Sequence, residues 1–375
     1  MAKPGSPDDA YAAAGVRYAT IDRGKIDAQR AAAATGATLA RHGLAEVAES
    51  RGESAYVIDV GDHFVSTVSE ALGTKNLVAD AVRALTGRSH YDAIARDTVA
   101  TILNDLCTVG GAPATLTAYW GAGRSEWFED EARLADLVAG WAAACAEAGC
   151  SWGGGETQVL HGMIEPGVVV LGGAAVGLVR PKGLLLLGSR VAPGDAILIA
   201  PATGIHANGL TLARKLAAEM PQGYATPVAG DPRGRAYGEV LLDATPLYGP
   251  LVEALQAAAI DLHYAVHVTG HGWRKLMRAA QPLRYIVERL PPVPPIFDLL
   301  SAAAGLGREE AYGTFNMGAG FACFVAAADA ARALDVARGA AWDLLAAGRV
   351  EPGEKCVVLR PLGITFAGDS LALRA

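Results

Sequence analysis

Residues 91–111 read YDAIARDTVATILNDLCTVGG, and the fold is decided by how this stretch is read. Ile94, Ile102, Leu103 and Leu106 recur at helical spacing and form one apolar face, and Gly110-Gly111 supply a stop. The stretch therefore reads as a helix with one buried side. On either side of it the period changes to that of strands. Upstream, AYVIDV (55–60) and HFVSTV (63–68) flank Gly61-Asp62, the pattern of a hairpin. Downstream, PATLTAYWG (113–121) reads as a strand and SEWFEDEARLADLVAGWAAACAEAGC (125–150) as a long helix, with Ser125 as N-cap and Gly149 as stop. GVVVLGGAAVGLV (167–179) then returns as a central strand.

Near Arg180-Pro181-Lys182-Gly183 the pattern restarts. DAILIA (195–200) is a strand, while NGLTLARKLAAEM (208–220) and TPLYGPLVEALQAAAI (245–260) are helices. DLHYAVHVTG (261–270) leads into GHGWRKLMRAA (270–280), and RYIVERL (284–290) is a further strand. LPPVPP (290–295) reads as a stiff internal loop rather than a polyproline recognition motif. GAGFACFVAA (318–327), a last helix and CVVLRPLGITFAG (356–368) close the chain. Strands and helices interleave in both halves without a sequential repeat. The expectation is an α+β protein of two α/β layered domains with mixed sheets, residues 1–180 and 181–375.

Composition narrows the function. The 375 residues are 51% hydrophobic and only 6% aromatic, which indicates small-residue packing in well-formed cores. A net charge of −7 argues against a general nucleic-acid or anionic-membrane binder, so an anionic substrate needs a local cluster of donors. The longest apolar run, Val168 to Val179, is glycine-rich and too short to span a bilayer. The five cysteines include no C-x-x-C pair, and MAKPGSPDDAY, which reads as a mobile tail, lacks the apolar region of a secretory signal. Both features point to reduced thiols in a cytoplasm.

Several polar segments could carry chemistry. Asp97, Thr101, Asp105 and Thr108 lie along one helix face, where two carboxylates suit Mg²⁺ or simply a solvated surface. Gly73-Thr74-Lys75 has phosphate-loop ingredients without P-loop spacing, and Glu70 stands just before it. CSWGGGETQVL (150–160) reads as a glycine-rich turn, or as a site with Glu156 and Thr157. Asn208 is placed to cap a helix starting at Gly209, with His206 two residues earlier as a phosphate contact, a proton carrier or a surface-loop histidine. VHVTGHGWRKL (266–276) and YGTFNMGAGF (312–321) offer two more polar, glycine-rich turns. No zinc spacing, G-x-G-x-x-G or G-x-S-x-G is present, which disfavours a nicotinamide enzyme.

In order and spacing, YAAAGV (11–16), LGTKN (72–76), DTVATILNDLCTVGGAP (97–113), GGET (154–157), TGIHANGLTLARK (203–215), HVTGHGW (267–273) and TFNMGAGF (314–321) resemble the aminoimidazole ribonucleotide synthetase, or phosphoribosylformylglycinamidine cyclo-ligase, family. The resemblance implies ATP-dependent ring closure of formylglycinamidine ribonucleotide, with Mg²⁺. It implies a homodimer whose N-terminal domains pair into a β-barrel, a C-terminal α/β sandwich, and no membrane or nucleic-acid partner. By the same resemblance Glu70, Asp97, Asp105 and Glu156 are the metal ligands. Gly73, Thr74, Lys75, Asn104, Gly154, Gly155 and Thr157 join Glu70, Asp105 and Glu156 around the nucleotide. Gly204, His206, Asn208, Thr269, Gly270, His271 and Asn316 face the substrate, with His206, Lys75 and Asn208 in the catalytic roles.

Three departures stand out. Glu70-Ala71-Leu72 replaces the family's Asp-Gly-Val, ATLARHGLAEVAESRGES (37–54) replaces a glycine-rich segment, and His271 interrupts Thr-Gly-Gly-Gly. They keep two alternatives open: a paralogue acting on another amide- or formyl-bearing phosphorylated metabolite, and a nucleotide-binding regulator without turnover.

Overall fold

The computed structural model describes residues 18–371, so the YAAAGV motif lies outside the described residues. Helix α1 (Tyr18–Ala33) comes first, followed by β1 (Ala45–Glu46), β2 (Tyr56–Asp59) and β3 (Phe64–Ala71). Next are α2 (Lys75–Thr86), α3 (Tyr91–Cys107), β4 (Ala112–Ala122), α4 (Glu131–Glu147), β5 (Ser151–Val159) and β6 (Val169–Val179). These strands form one sheet in the order β1-β2-β3-β6-β4-β5, antiparallel except for the β4–β5 pair. The expected hairpin is present, with Tyr56 opposite Thr67 and Asp59 opposite Phe64. The 167–179 segment is central, paired with β3 on one side and β4 on the other.

The apolar stripe of α3 explains how this sheet is covered. Ile94, Ile102, Leu103 and Leu106 are buried, and α3 packs on β3, β6 and α4. Each such side chain contributes roughly 1.5–3 kcal/mol over leaving it exposed. Along β4, Leu116, Ala118, Trp120 and Ala122 turn into this core by the two-residue period of a strand. The opposite face, with Ser69, Thr117, Tyr119, Val170 and Ala174, lines an open groove in the single chain.

The second sheet is built from β7 (Ala196–Pro201), β8 (Leu262–His267), β9 (Leu283–Val287), β10 (Ala319–Val325), β11 (Leu345–Pro352), β12 (Cys356–Leu359) and β13 (Ile364–Ala367). Its order is β13-β12-β9-β11-β7-β10-β8, parallel only between β12 and β9. Helices α5 (Leu210–Glu219), α6 (Tyr237–Leu241), α7 (Gly249–Ala257), α8 (Ile296–Ala304), α9 (Arg308–Thr314) and α10 (Ala330–Gly339) complete this half. The mixed sheets make the chain α+β, as expected.

Local details correct the sequence reading. Ser125 opens a 3₁₀ turn instead of the long helix, and Asp130 caps α4 by accepting from Arg133 N. Gly153–Gly155 lie in β5, an edge strand, rather than in a turn. There a Cβ on Gly155 would overlap the Ala118 carbonyl, so glycine permits close pairing with β4. Asn208 does not cap α5: Gly209 does, at φ 93°, without a side-chain cap bond. The helix expected over 245–260 starts only at Gly249, and 272–277 is a 3₁₀ turn.

Candidate active site

Where the two sheets' connecting segments meet lies a cavity of about 540 Å³. Glu70 at the end of β3, Asp105 of α3, Asn208, the Thr269-Gly270-His271 turn, Lys275 and Arg278 all line it. Helix α1 adds Lys25 and Gln29. The 51–54 segment closes one side, tied down by Arg278, which donates to Gly52 O (2.9 Å) and Ser54 Oγ (2.7 Å). Gly73 is close by, since a Cβ there would come within 4.0 Å of Ala207 O. Glu70 also borders the groove of about 660 Å³ on the open sheet face, together with Gly155 and Glu156.

The electrostatics are mixed. Asp105 Oδ1 lies 2.9 Å from His267 Nδ1, a partner sequence reasoning did not single out. Burial pushes the Asp105 carboxyl up, but the His267 hydrogen bond and charge, with Lys275 and Arg278, outweigh it and hold the carboxyl below its usual value. Glu70 is reachable by solvent, yet desolvation by the cavity wall and the nearby Asp105 charge push its carboxyl up. Lys275 is pulled down to about 8 by burial and by Arg278, against the opposing pull of Asp105 and Glu70. The cavity thus brings cations and carboxylates together, which suits a phosphate-bearing ligand accompanied by metal.

The remaining expected residues are placed differently. Lys75 and Asp97 do not face the cavity. Both side chains are 0% exposed, with Nζ 2.5 Å from Oδ2. Lys75 Nζ also donates to Asp243 O (2.9 Å), and Asp97 Oδ1 accepts from Thr245 N (2.6 Å). Two turns further along α3, Asn104 donates to Pro246 O (2.8 Å) and accepts from Tyr248 N (2.7 Å). These three side chains form a seam between α2–α3 and the 243–248 segment. Neither a solvated face nor a phosphate-facing ammonium describes them. Among the described residues, no group of three or more His, Cys, Asp or Glu side chains forms a metal cage. Glu156 stands on the exposed edge strand β5, and Asp97 is occupied by Lys75.

His206 is buried, at φ 60°, and lines neither the cavity nor the groove. Its Nε2 accepts from Thr203 N (3.4 Å), and its ring lies 6.4 Å from that of Tyr248. Burial, then the His267 and Lys75 charges, depress its pKa well below the usual value, so it is neutral near pH 7. Asn316 is an internal clamp: it donates to Gly204 O (2.9 Å), accepts from Gly318 N (3.0 Å), and its carbonyl takes the Trp273 indole N–H (2.9 Å). It fixes the loop whose Asn208 reaches the cavity. Lys25, Lys275 and Arg278 were missed as well. Arg274-Lys275 stood in the quoted 266–276 segment, but only the fold shows which of those cations turns inward.

This architecture, two mixed α+β halves with a charged cavity at their junction, defines a family. Residues 52–179 match the AIR synthase related protein N-terminal domain and residues 192–360 its C-terminal domain, and the chain belongs to this family. It is 36% identical to a phosphoribosylformylglycinamidine cyclo-ligase of an Anaeromyxobacter species, over 78% of this chain and 83% of that protein. A protein of the same name from Carboxydothermus hydrogenoformans is 32% identical over 93% of this chain and 98% of its own length. In fold it is similar to the hydrogenase maturation protein HypE solved in complex with ATP, with a TM-score of 0.55 at 22% identity, covering 73% of this chain and 78% of that one.

Proposed function

We propose that this chain is an ATP-dependent cyclo-ligase that closes the imidazole ring of formylglycinamidine ribonucleotide, giving aminoimidazole ribonucleotide, ADP and phosphate. The observation that carries the reading is the cavity in which Glu70 and Asp105 meet Lys275, Arg278 and Asn208. The relatives named for this activity favour it over a paralogue with another substrate or an inactive regulator.

ATP bound here supplies the phosphoryl group that turns the substrate's carbonyl-type oxygen into a leaving group. Catalysis of that kind needs positioning and charge neutralisation above all. The chain's residues fit both partners. Mg²⁺ commonly takes one or two carboxylates and completes its shell with phosphate and water, and the neighbouring carboxyls of Glu70 and Asp105 match that demand. Glu156, with Gly154, Gly155 and Thr157 beside it on β5, would hold the nucleotide together with Gly73 and Thr74. Lys275 and Arg278 hold the substrate's phosphate, and Thr269, Gly270 and Asn208 orient its ribosyl end. His206 and Lys75 serve catalysis through the loop and seam they hold in place.

The enzyme works as a homodimer in the cytoplasm. The open face of the first sheet, carrying half-exposed Val170 and Leu178, pairs with its counterpart. No helix among the described residues is long and apolar enough to cross a membrane.

The test is product formation. With Mg²⁺, ATP and formylglycinamidine ribonucleotide, ADP and aminoimidazole ribonucleotide should appear in equal amounts, and Asp105→Asn should weaken Mg²⁺–ATP binding. ATP hydrolysis indifferent to the ribonucleotide, with no imidazole product, would overturn the reading.

A further inference from the structure

Helix α1 crosses the cavity with none of its residues from Thr20 to Ala33 buried. A helix without a buried apolar face is held by polar anchors rather than by hydrophobic packing. At its C-terminal end Arg51 donates to Ala32 O (3.2 Å), while the same guanidinium is paired with Glu46. Nearer the start, Asp22 Oδ2 lies 3.5 Å from His271 Nε2, with the two side chains only 13% and 9% exposed. Asp22 also lies 3.8 Å from Lys25 Nζ, one helical turn on. Asp22, Lys25, Gln29 and Ala32 fall on one side of the helix by their spacing of three and four residues, and the last three line the cavity.

His271 is itself unusual. It sits in the left-handed region at φ 69°, where a side chain beyond Cβ is disfavoured and glycine is at ease. Backbone strain of this kind persists where the surrounding structure fixes it. Here the strained residue carries the imidazole that meets α1.

We infer that His271 is a positioning residue: through Asp22 it fastens α1 across the cavity and aims Lys25 at the phosphate of the bound substrate. Burial, with Lys275, Arg274, Lys25 and Arg278 close by, pushes the imidazole down to about 3. It is therefore a neutral ring that adds no charge to a cation-rich wall. The chain His271–Asp22–Lys25 sets how tightly the anionic end is held, a property distinct from the chemistry of ring closure. The inference rests on the phosphate-bearing substrate proposed above.

Two variants separate this role from mere folding. His271→Gly removes the imidazole at a backbone geometry that glycine accepts, and His271→Asn keeps both left-handed tolerance and a donor for Asp22. His271→Gly should raise KM for formylglycinamidine ribonucleotide ~10-fold, about one tenfold step in affinity, with a smaller change in kcat. His271→Asn should restore KM. Trypsin cleavage after Arg23 and Lys25 should be at least ~5-fold faster in His271→Gly, because cleavage follows the population of the opened helix. Ribose 5-phosphate should slow that cleavage in the parent chain and not in the glycine variant. Unchanged KM together with unchanged cleavage in His271→Gly would overturn the inference. If the parent chain does not turn over formylglycinamidine ribonucleotide, the cyclo-ligase reading fails, while the cleavage comparison still decides whether His271 fastens α1.

Discussion

Lys75→Met is the sharpest test of the seam between the two halves. In the native chain the ammonium and the Asp97 carboxylate are both 0% exposed and 2.5 Å apart. Each also satisfies one backbone group of the 243–248 segment, Asp243 O and Thr245 N. Removing one partner leaves a buried charge with a single backbone hydrogen bond. That loss typically costs ~3–5 kcal/mol, whereas exchanging both partners for apolar groups of similar size is often near neutral. Lys75→Met and Asp97→Leu should each therefore lower stability by ~3–5 kcal/mol, and the double variant should recover most of it. The assay is a double-mutant cycle by urea unfolding, read from the midpoint of the transition. Single variants within ~0.5 kcal/mol of the parent, the range of ordinary surface changes, would refute the seam. A stable Asp97→Asn with weakened Mg²⁺–ATP binding would return Asp97 to the metal.

Other outcomes follow from the same geometry. His271 titrates near 3 when folded and near 6.5 when unfolded, so the unfolded chain binds more protons between these values and stability falls as pH drops through that window. At pH 5 the loss is ~2 kcal/mol from this residue, and urea titrations of His271→Asn should show a flatter acid limb. Buried His206 adds to the same trend. His206→Ala should lower stability by ~1–3 kcal/mol along with turnover, whereas Asn208→Ala should lower turnover at parental stability; equal midpoints for the two would place His206 in the cavity lining instead. Val170→Glu puts a charge on the open sheet face, and sedimentation should shift from twice the 38.5 kDa chain mass to a single chain. A parent chain that is monomeric at every concentration would defeat the dimer.

Much of the fold was legible because its signals are local. The stripe of α3 and the hairpin at Gly61-Asp62 each depend on residues within one or two turns of one another. The failures share a cause too. Gly153–Gly155 signalled a turn because glycine tolerates any φ, yet here it serves close approach between β4 and β5. Ser125 and Asp130 are both good caps, and the choice between them depended on the 3₁₀ turn that sits between them. Helix α1 was not anticipated, because it has no apolar period to betray it.

The polar face of α3 shows most clearly where local reasoning stops. Helical geometry puts Asn104 ~20° from Asp97 around the axis and Asp105 ~80° away. The spacing of 97, 101 and 105 suggested one stripe with one purpose. In the structure that arc is divided. Asp97 and Asn104 bind the backbone of 243–248, residues more than 140 positions away, while Asp105 turns to His267 and the cavity. A carboxylate's task is set by the nearest cation or donor, and no periodicity reports a partner that distant. For Asp97 that partner is Lys75, itself part of the glycine–threonine–lysine segment that promised a phosphate loop. The two residues most suggestive of nucleotide chemistry thus neutralise each other, and the cavity takes Lys25, Lys275 and Arg278 from other elements. Helix α3 therefore couples the halves: the side chains that clamp 243–248 also fix the register at which Asp105 enters the cavity. A change at Asp97 that loosened the seam would move Asp105 with it, so its effect on nucleotide binding would be real without any contact to the nucleotide.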